Sequence, residues 1–310
     1  MILSPNRHVL RLHVAIMKRS HILALVMFLG LSLRAQKPFD QTFAPDVAAP
    51  ERFRTNRTSY SATMDVLRST RPRVTQAQLD QLKTLPLESI FGALGEYRLN
   101  YARGFTNTRP GERVIGRALT MRFLPPRPDL IRAAETVAKE ADWDRRYYAR
   151  AAEEAQPGDV VVAELGGVDG HNLFGAMAAT GIKSRGVTGV VIDGGSRDLA
   201  ELQADAFKGF PVLAKFFHVT STSWVGVEFN APVRIGAATV LPGDVVVGED
   251  EGVLFFPPDM LDTVLKTASE TESRETYERE LLLQKKYRFR DIYPLSPALR
   301  EEYEKSKKPR

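Results

Sequence analysis

Two short runs of uninterrupted apolar residues organise the middle of the chain: Val160-Val161-Val162-Ala163 and Val190-Val191-Ile192. Runs of this length, each entered from a glycine-containing turn, read as strands buried on both faces. Residues 173–184 between them have helical spacing, so 159–193 reads as a βαβ unit carrying two parallel strands. Residues 116–123 alternate and predict another strand, with more at 212–217, 233–235, 238–241, 244–247 and 253–256. Pro157-Gly158-Asp159 and Pro242-Gly243-Asp244 are similar turns, each launching a Val-rich strand. Helical patterns open at Thr75, with Leu79 and Leu82 on one side, and again near Leu87. A charged helical stretch covers 128–155, and another runs from Pro258 to about Tyr287. Residues 36–75 are polar without a period and read as a loosely ordered lead-in. The whole predicts a mixed α/β core.

Composition narrows the chemistry. The 310 residues are 43% hydrophobic, enough for a sizeable core, and include no cysteine. Disulfides, thiolate nucleophiles and sulfur-held zinc are therefore excluded. The net charge of +5 comes from the start of the chain, where Arg7, Arg11, Lys18, Arg19 and Arg34 stand without any acid. Setting those five aside leaves 38 Lys and Arg against 38 Asp and Glu, so the charge gives no support for a nucleic-acid partner. The same stretch reads as a targeting leader over 1–35. It has a basic Lys18-Arg19, an apolar run of twelve residues over 22–33, and Leu33-Arg34-Ala35 as a cleavage signal, with Met17 as the true start. The expected destination is the periplasm or the exterior, with no membrane span after leader removal. The remaining organisation is a lead-in at 36–75, a catalytic domain at 76–284 and a basic extension at 285–310, the last read as a solvated wrap or interface arm.

Candidate chemistry gathers after the second buried strand. Asp193, Arg197, Asp198 and Glu201 follow it closely, at the end of the strand where open α/β sheets place ligands. An arginine there can grip a carboxylate with two hydrogen bonds, and an adjacent Asp can hold a hard cation. On spacing alone the plainer reading is the better one: a surface ion pair, with Asp198 capping a helix. Gly175, near the start of the 173–184 helix, would let an anion reach the helix amides, although alone it reads better as a packing glycine. Past the leader only His171 and His218 remain, so any metal site must lean on oxygen and water, which favours Mg²⁺ or Mn²⁺. His171, between a glycine-rich loop and that helix, is a candidate pocket-lining residue. There is no G-x-S-x-G, no phosphate-loop lysine and no dinucleotide fingerprint.

Several motifs together resemble the RraA-like family, which includes the 4-hydroxy-4-methyl-2-oxoglutarate aldolases. They are Pro157 to Val162, Gly175, the run from Lys183 to Gly194, Arg197-Asp198, then Pro242 to Gly248 and Asp250-Glu251-Gly252-Val253. The resemblance spans roughly 80–285. It implies a swivelling β/β/α fold assembled as a homotrimer or hexamer, and a metal-dependent lyase for a small 2-oxo acid. In that family the residue matching Arg197 binds the substrate carboxylate and oxo group, and the one matching Asp198 holds Mg²⁺ or Mn²⁺. Glu201 completes an Arg-Asp-x-x-acid motif. The amides of Met177 and Ala178, just past Gly175, take the pyruvyl carboxylate. A glutamate from the neighbouring subunit's late helix supports the metal waters, by position Glu275, with Glu272 as the fallback. The same resemblance carries two other readings, a protein-binding regulator of a ribonuclease and a catalytically degenerate homologue. Ala176 and Gly92 stand where many members have an acidic residue, and 126–150, with Trp143, Arg145, Arg146 and Tyr147, is longer than usual.

Overall fold

The computed structural model describes residues 57–141, 147–220 and 224–307. The chain divides into two compact units, 62–131 with 144–310 and 1–61 with 132–143. The leader expected over 1–35, and Trp143, Arg145 and Arg146, lie outside the described residues. Of the second unit, only the helical residues 57–61 and 132–141 are described.

The elements run α1 (Arg57–Thr70), α2 (Gln76–Leu82), α3 (Leu87–Ala93), β1 (Tyr101–Ala102), β2 (Thr106–Asn107), β3 (Val114–Leu124), α4 (Pro128–Ala141), α5 (Tyr148–Glu154), β4 (Asp159–Glu164), α6 (Ala176–Ser184) and β5 (Gly189–Ser196). There follow α7 (Leu199–Leu202), β6 (Val212–Phe217), β7 (Val225–Phe229), β8 (Val233–Ile235), β9 (Ala238–Val240), β10 (Val245–Glu249), β11 (Gly252–Phe256), α8 (Leu261–Leu283), α9 (Phe289–Ile292) and α10 (Pro297–Ser306). The nine-stranded sheet has the order β1-β11-β10-β3-β4-β5-β6-β2, with β7 on the far half of β3. Strands β3 to β6 are parallel, as the βαβ pattern requires, and the flanking pairs are antiparallel. The two end strands of that order, β1 and β2, are separated by only residues 103–105, so the sheet must roll until its edges lie close.

Alternation along the strands sorts two cores. Val246, Val253 and Phe255 face inward with Val160, Val162, Val191, Leu213, Ile235 and Val240, the last two from the small β8-β9 sheet. Their neighbours Val245, Val247, Leu254 and Phe256 face outward under α2, α3 and α8, against Leu79, Leu82, Ile90, Val264 and Leu265. Each such side chain contributes roughly 1.5–3 kcal/mol by leaving water. The start of α2 is held by a reciprocal cap: the Gln78 amide donates to Thr75 Oγ1 (3.3 Å) and the Thr75 amide to Gln78 Oε1 (2.9 Å).

The two Pro-Gly-Asp turns have one construction. Gly158 and Gly243 both sit at positive φ (82° and 81°). Asp159 accepts from the Gln156 amide and Asp244 from the Leu241 amide, at 2.9 and 2.8 Å. Each aspartate also pairs with an arginine, Arg117 for Asp159 (3.0 Å) and Arg71 for Asp244 (2.9 Å). Burial pushes both carboxyls up, that of Asp244 to about 6, against the pull of those arginines.

Several expectations need correction. Within 36–75, where no period is visible, Arg57–Thr70 forms a helix. The 285–310 extension is not simply a solvated arm: α9 and α10 fold back so that Ile292, Leu295, Leu299 and Tyr303 pack with Leu281 of α8. The stretch 128–155 contains two helices, α4 and α5, and Tyr147 before α5 packs inside its own chain, edge-on to Phe123 and Phe229. Burial raises the Tyr147 hydroxyl to about 12.

Candidate functional site

The site is built where β4 and β5 end. After β4 the chain runs through Leu165 to Gly175 alongside the last residues of β5. Asn172 bridges Gly195 in parallel. The Leu173 amide donates to Gly195 O (2.8 Å), the Gly195 amide to His171 O (3.1 Å) and the Arg197 amide to Phe174 O (3.2 Å). Ser196 Oγ donates to Phe174 O (3.0 Å) as well. This approach needs Gly194 and Gly195, because a Cβ there would stand 2.6 Å from Leu165 Cβ and 2.4 Å from His171 O. The 173–184 helix therefore starts late. Leu173 and Phe174 are spent on the strand-like bridge, and α6 begins at Ala176 with Gly175 as its cap.

That loop delivers Gly175 onto Arg197 and Asp198. A Cβ on Gly175 would lie 2.0 Å from Asp198 Oδ2 and 2.8 Å from Arg197 Nε. Asp198 takes a left-handed conformation (φ 60°, ψ 40°), uncommon for a residue with a side chain but tolerated by Asp. So placed, its Oδ2 accepts the Ala176 amide at 2.9 Å, across to the first residue of α6. Arg197 Nε stands 3.7 Å from the same oxygen, and both side chains are about two-fifths exposed, open to a ligand. Of the next amides, that of Ala179 already donates to Gly175 O (3.1 Å), while Met177 and Ala178 belong to the first turn, whose amides have no partner within the helix. The Met177 side chain itself is exposed.

The structure thus brings Gly175, Ala176, Arg197 and Asp198 together, with Glu201 exposed on the short α7 that Asp198 opens. It separates Asp193 from them. That carboxylate is buried and accepts the Gly236 amide at 3.1 Å, tying β5 to the β8-β9 turn. The His171 ring is tilted on Trp224, centroids 5.0 Å apart. Sequence reasoning passed over Asn172 and gave His218 no position. Asn172 Nδ2 donates to His218 O (2.7 Å) and also to Thr220 O, pinning the end of β6 to the loop. Within one chain Glu275 and Glu272 pair with Arg279 on α8 at 3.5 and 3.3 Å, and neither pairs with Arg197. Gly92 lies in α3 with open space where a side chain would stand, and Ala176 is buried. Among the described residues no cluster of three or more His, Asp or Glu is arranged to hold a metal ion.

The model of the RraA-like family, described as Aldolase/RraA, matches residues 84–255, more than half of the chain. The chain belongs to the RraA-like family. Its RraA-like relatives include a Halalkalibacterium halodurans protein that carries the provisional name 4-hydroxy-4-methyl-2-oxoglutarate aldolase. That protein is 27% identical over 204 residues, which make up 64% of this chain and 87% of the relative. A protein of the same provisional name from Ectopseudomonas mendocina is 31% identical over 100 residues, 32% of this chain and 60% of the relative. Among solved structures, Streptomyces coelicolor RraAS2, described as an unusual member of the RNase ES inhibitor RraA protein family, is 26% identical. It superposes with a TM-score of 0.57 over 67% of this chain and 99% of that one. The mixed α/β fold is that of these RraA-like neighbours.

Proposed function

We propose that this protein is a divalent-metal-assisted lyase for a small 2-oxo acid, cleaving the C–C bond of 4-hydroxy-4-methyl-2-oxoglutarate or decarboxylating oxaloacetate. Both reactions leave pyruvate as its enolate, so one site can serve both. The observation that carries the reading is the contact of Gly175 with Arg197 and Asp198, which sets a guanidinium, a carboxylate and a helix start at one point.

The donor set fits Mg²⁺ or Mn²⁺. These hard cations are commonly held by one or two carboxylates, with water and substrate filling the remaining positions. Asp198 is the one carboxylate whose oxygen is fixed at the helix start, and Glu201 lies one turn on. Such a cation supplies positive charge to the oxo and carboxylate oxygens of the substrate. Arg197 binds the substrate carboxylate and oxo oxygen and adds a second positive contact for the growing enolate charge. The Met177 and Ala178 amides receive the pyruvyl carboxylate at the positive end of α6. Glu275 of a neighbouring subunit, in a homotrimer or hexamer, would orient metal-bound water. The leader expected over 1–35 would direct the mature protein to the periplasm or outside the cell. Among the described residues no helix is long and apolar enough to cross a membrane.

The test is pyruvate release from either substrate with and without Mg²⁺, in the wild type and in Asp198→Asn. Mg²⁺-dependent release that falls roughly 100-fold in the variant is expected. A folded wild-type protein that releases no pyruvate with Mg²⁺ would overturn the proposal. The likeness to RraAS2 favours one other reading, a protein-binding regulator of a ribonuclease. Inhibition of a ribonuclease by this chain without lyase activity would establish that instead.

A further inference from the structure

The C-terminal helices create a cavity that the lyase reading does not use. It lies between α8 and the α9–α10 pair, with a volume of about 620 Å³, within the range of small-molecule sites. One of its walls is Glu278, a carboxylate only 3% exposed. The Leu295 backbone amide donates to this carboxylate and the Arg300 charge acts on it, yet Oε1 stands 3.9 Å from Arg274 Nε, too far for a hydrogen bond, and Oε2 is buried with no hydrogen-bond partner. Burial also pushes this carboxyl above its ordinary range. A buried acceptor without a donor is rare in folded proteins and calls for explanation.

The other charged groups around the cavity balance. Glu270, Glu275 and Glu304 face Arg274, Arg300 and Lys307. Arg300 makes no ion pair or side-chain hydrogen bond among the described residues, whereas Lys307 is already set over the Tyr303 ring at 4.3 Å. A simple anion would leave the buried Glu278 oxygen unsatisfied, and a simple amine would make no use of Arg300, whose exposed guanidinium at the rim can meet a carboxylate. One molecule carrying both groups answers both needs.

We propose that this cavity is a binding site for a small zwitterion of the amino-acid class, its ammonium donating to the Glu278 carboxylate and its carboxylate meeting Arg300. A charge-assisted hydrogen bond to a desolvated carboxylate is the strong kind, so the amine determines selectivity. The site shares only Glu275 with the lyase reading, and it is tested by binding rather than turnover.

Calorimetric titration of the full chain with each proteinogenic amino acid, and with the matching carboxylic acid lacking the amine, reads the proposal directly. At least one amino acid is expected to bind with a Kd of about 1 mM or tighter, and its des-amino analogue at least tenfold more weakly. Glu278→Gln should weaken that amino acid at least tenfold with an unchanged melting temperature. No binding by any amino acid, equal binding of the des-amino analogue, or undiminished binding by a folded Glu278→Gln would each overturn it. Should Glu278→Gln fail to fold, Arg300→Ala on the exposed rim serves in its place, with the same tenfold loss expected and undiminished binding again decisive against.

Discussion

Replacing Gly175 by alanine should separate the site's chemistry from the stability of the fold. The backbone at Gly175 is extended (φ −127°, ψ −162°), so alanine adopts it without strain. The new methyl would nevertheless meet Asp198 Oδ2 at 2.0 Å, Arg197 Nε at 2.8 Å and Arg197 Cγ at 2.9 Å, all inside van der Waals contact. Asp198 must swing away by about 1 Å or more and give up the Ala176 amide. Losing a hydrogen bond to a charged group costs about 1.5–3 kcal/mol. Asp198 is 38% exposed, however, so water replaces much of it and about 1 kcal/mol remains. Alanine in place of glycine stiffens the unfolded chain and returns about 0.4–1 kcal/mol. Net stability should change by less than about 1 kcal/mol, and the melting temperature by no more than roughly 4 °C. Catalysis has no such compensation, since a shift of this size in a positioning group costs roughly 100-fold. The assay is kcat/KM for Mg²⁺-dependent pyruvate release, paired with thermal unfolding followed by circular dichroism. A Gly175→Ala protein that melts with the wild type and retains its activity would refute the assignment of Arg197 and Asp198 as one working unit.

Other substitutions test the scaffold. Gly116→Ala places a methyl 2.4 Å from Gly158 O and 2.9 Å from Val160 Cγ2. The oxygen is backbone and cannot rotate aside, so a loss of about 1–3 kcal/mol is expected, and chemical denaturation showing no loss would contradict the β3–β4 packing. Asp244, whose folded value of about 6 lies above its ordinary 3.8, contributes stability that is complete below pH 3.8 and is lost as pH rises through 6. Over that window the wild type should lose up to about 3 kcal/mol relative to Asp244→Asn, read from urea midpoints at several pH values; parallel curves would contradict it.

The strand–helix grammar of this protein is local and was legible in the sequence. Val160 to Val162 and Val190 to Ile192 are apolar on both faces wherever they go, and a Pro-Gly-Asp turn needs only its own residues to bend the chain. Strands 212–217 and 233–235 and the helix after Thr75 fall where the pattern puts them. Arg197-Asp198 was legible as a pair because its motif recurs across a family, and the spacing alone favoured a surface ion pair. Elements whose stability comes from distant partners left no periodic trace. Two-residue strands such as β1 and β2 are too short for one, and β7 exists because it pairs with the far half of β3. The basic tail became helical because Ile292, Leu299 and Tyr303 found Leu281.

The site divides along the same line. Composition determined that any metal would be held by oxygen, since cysteine is absent and histidine scarce. Only the tertiary structure decided that Asp193 turns to the Gly236 amide while Asp198 reaches the Ala176 amide, although both are acids near the end of one strand. Only packing against the C-terminal helices could bury Glu278, beside Leu281, in the charged second half of α8. The role of a carboxylate depends on which donors stand within about 3 Å, and for these residues the donors come from segments the sequence sets apart and the rolled sheet brings together.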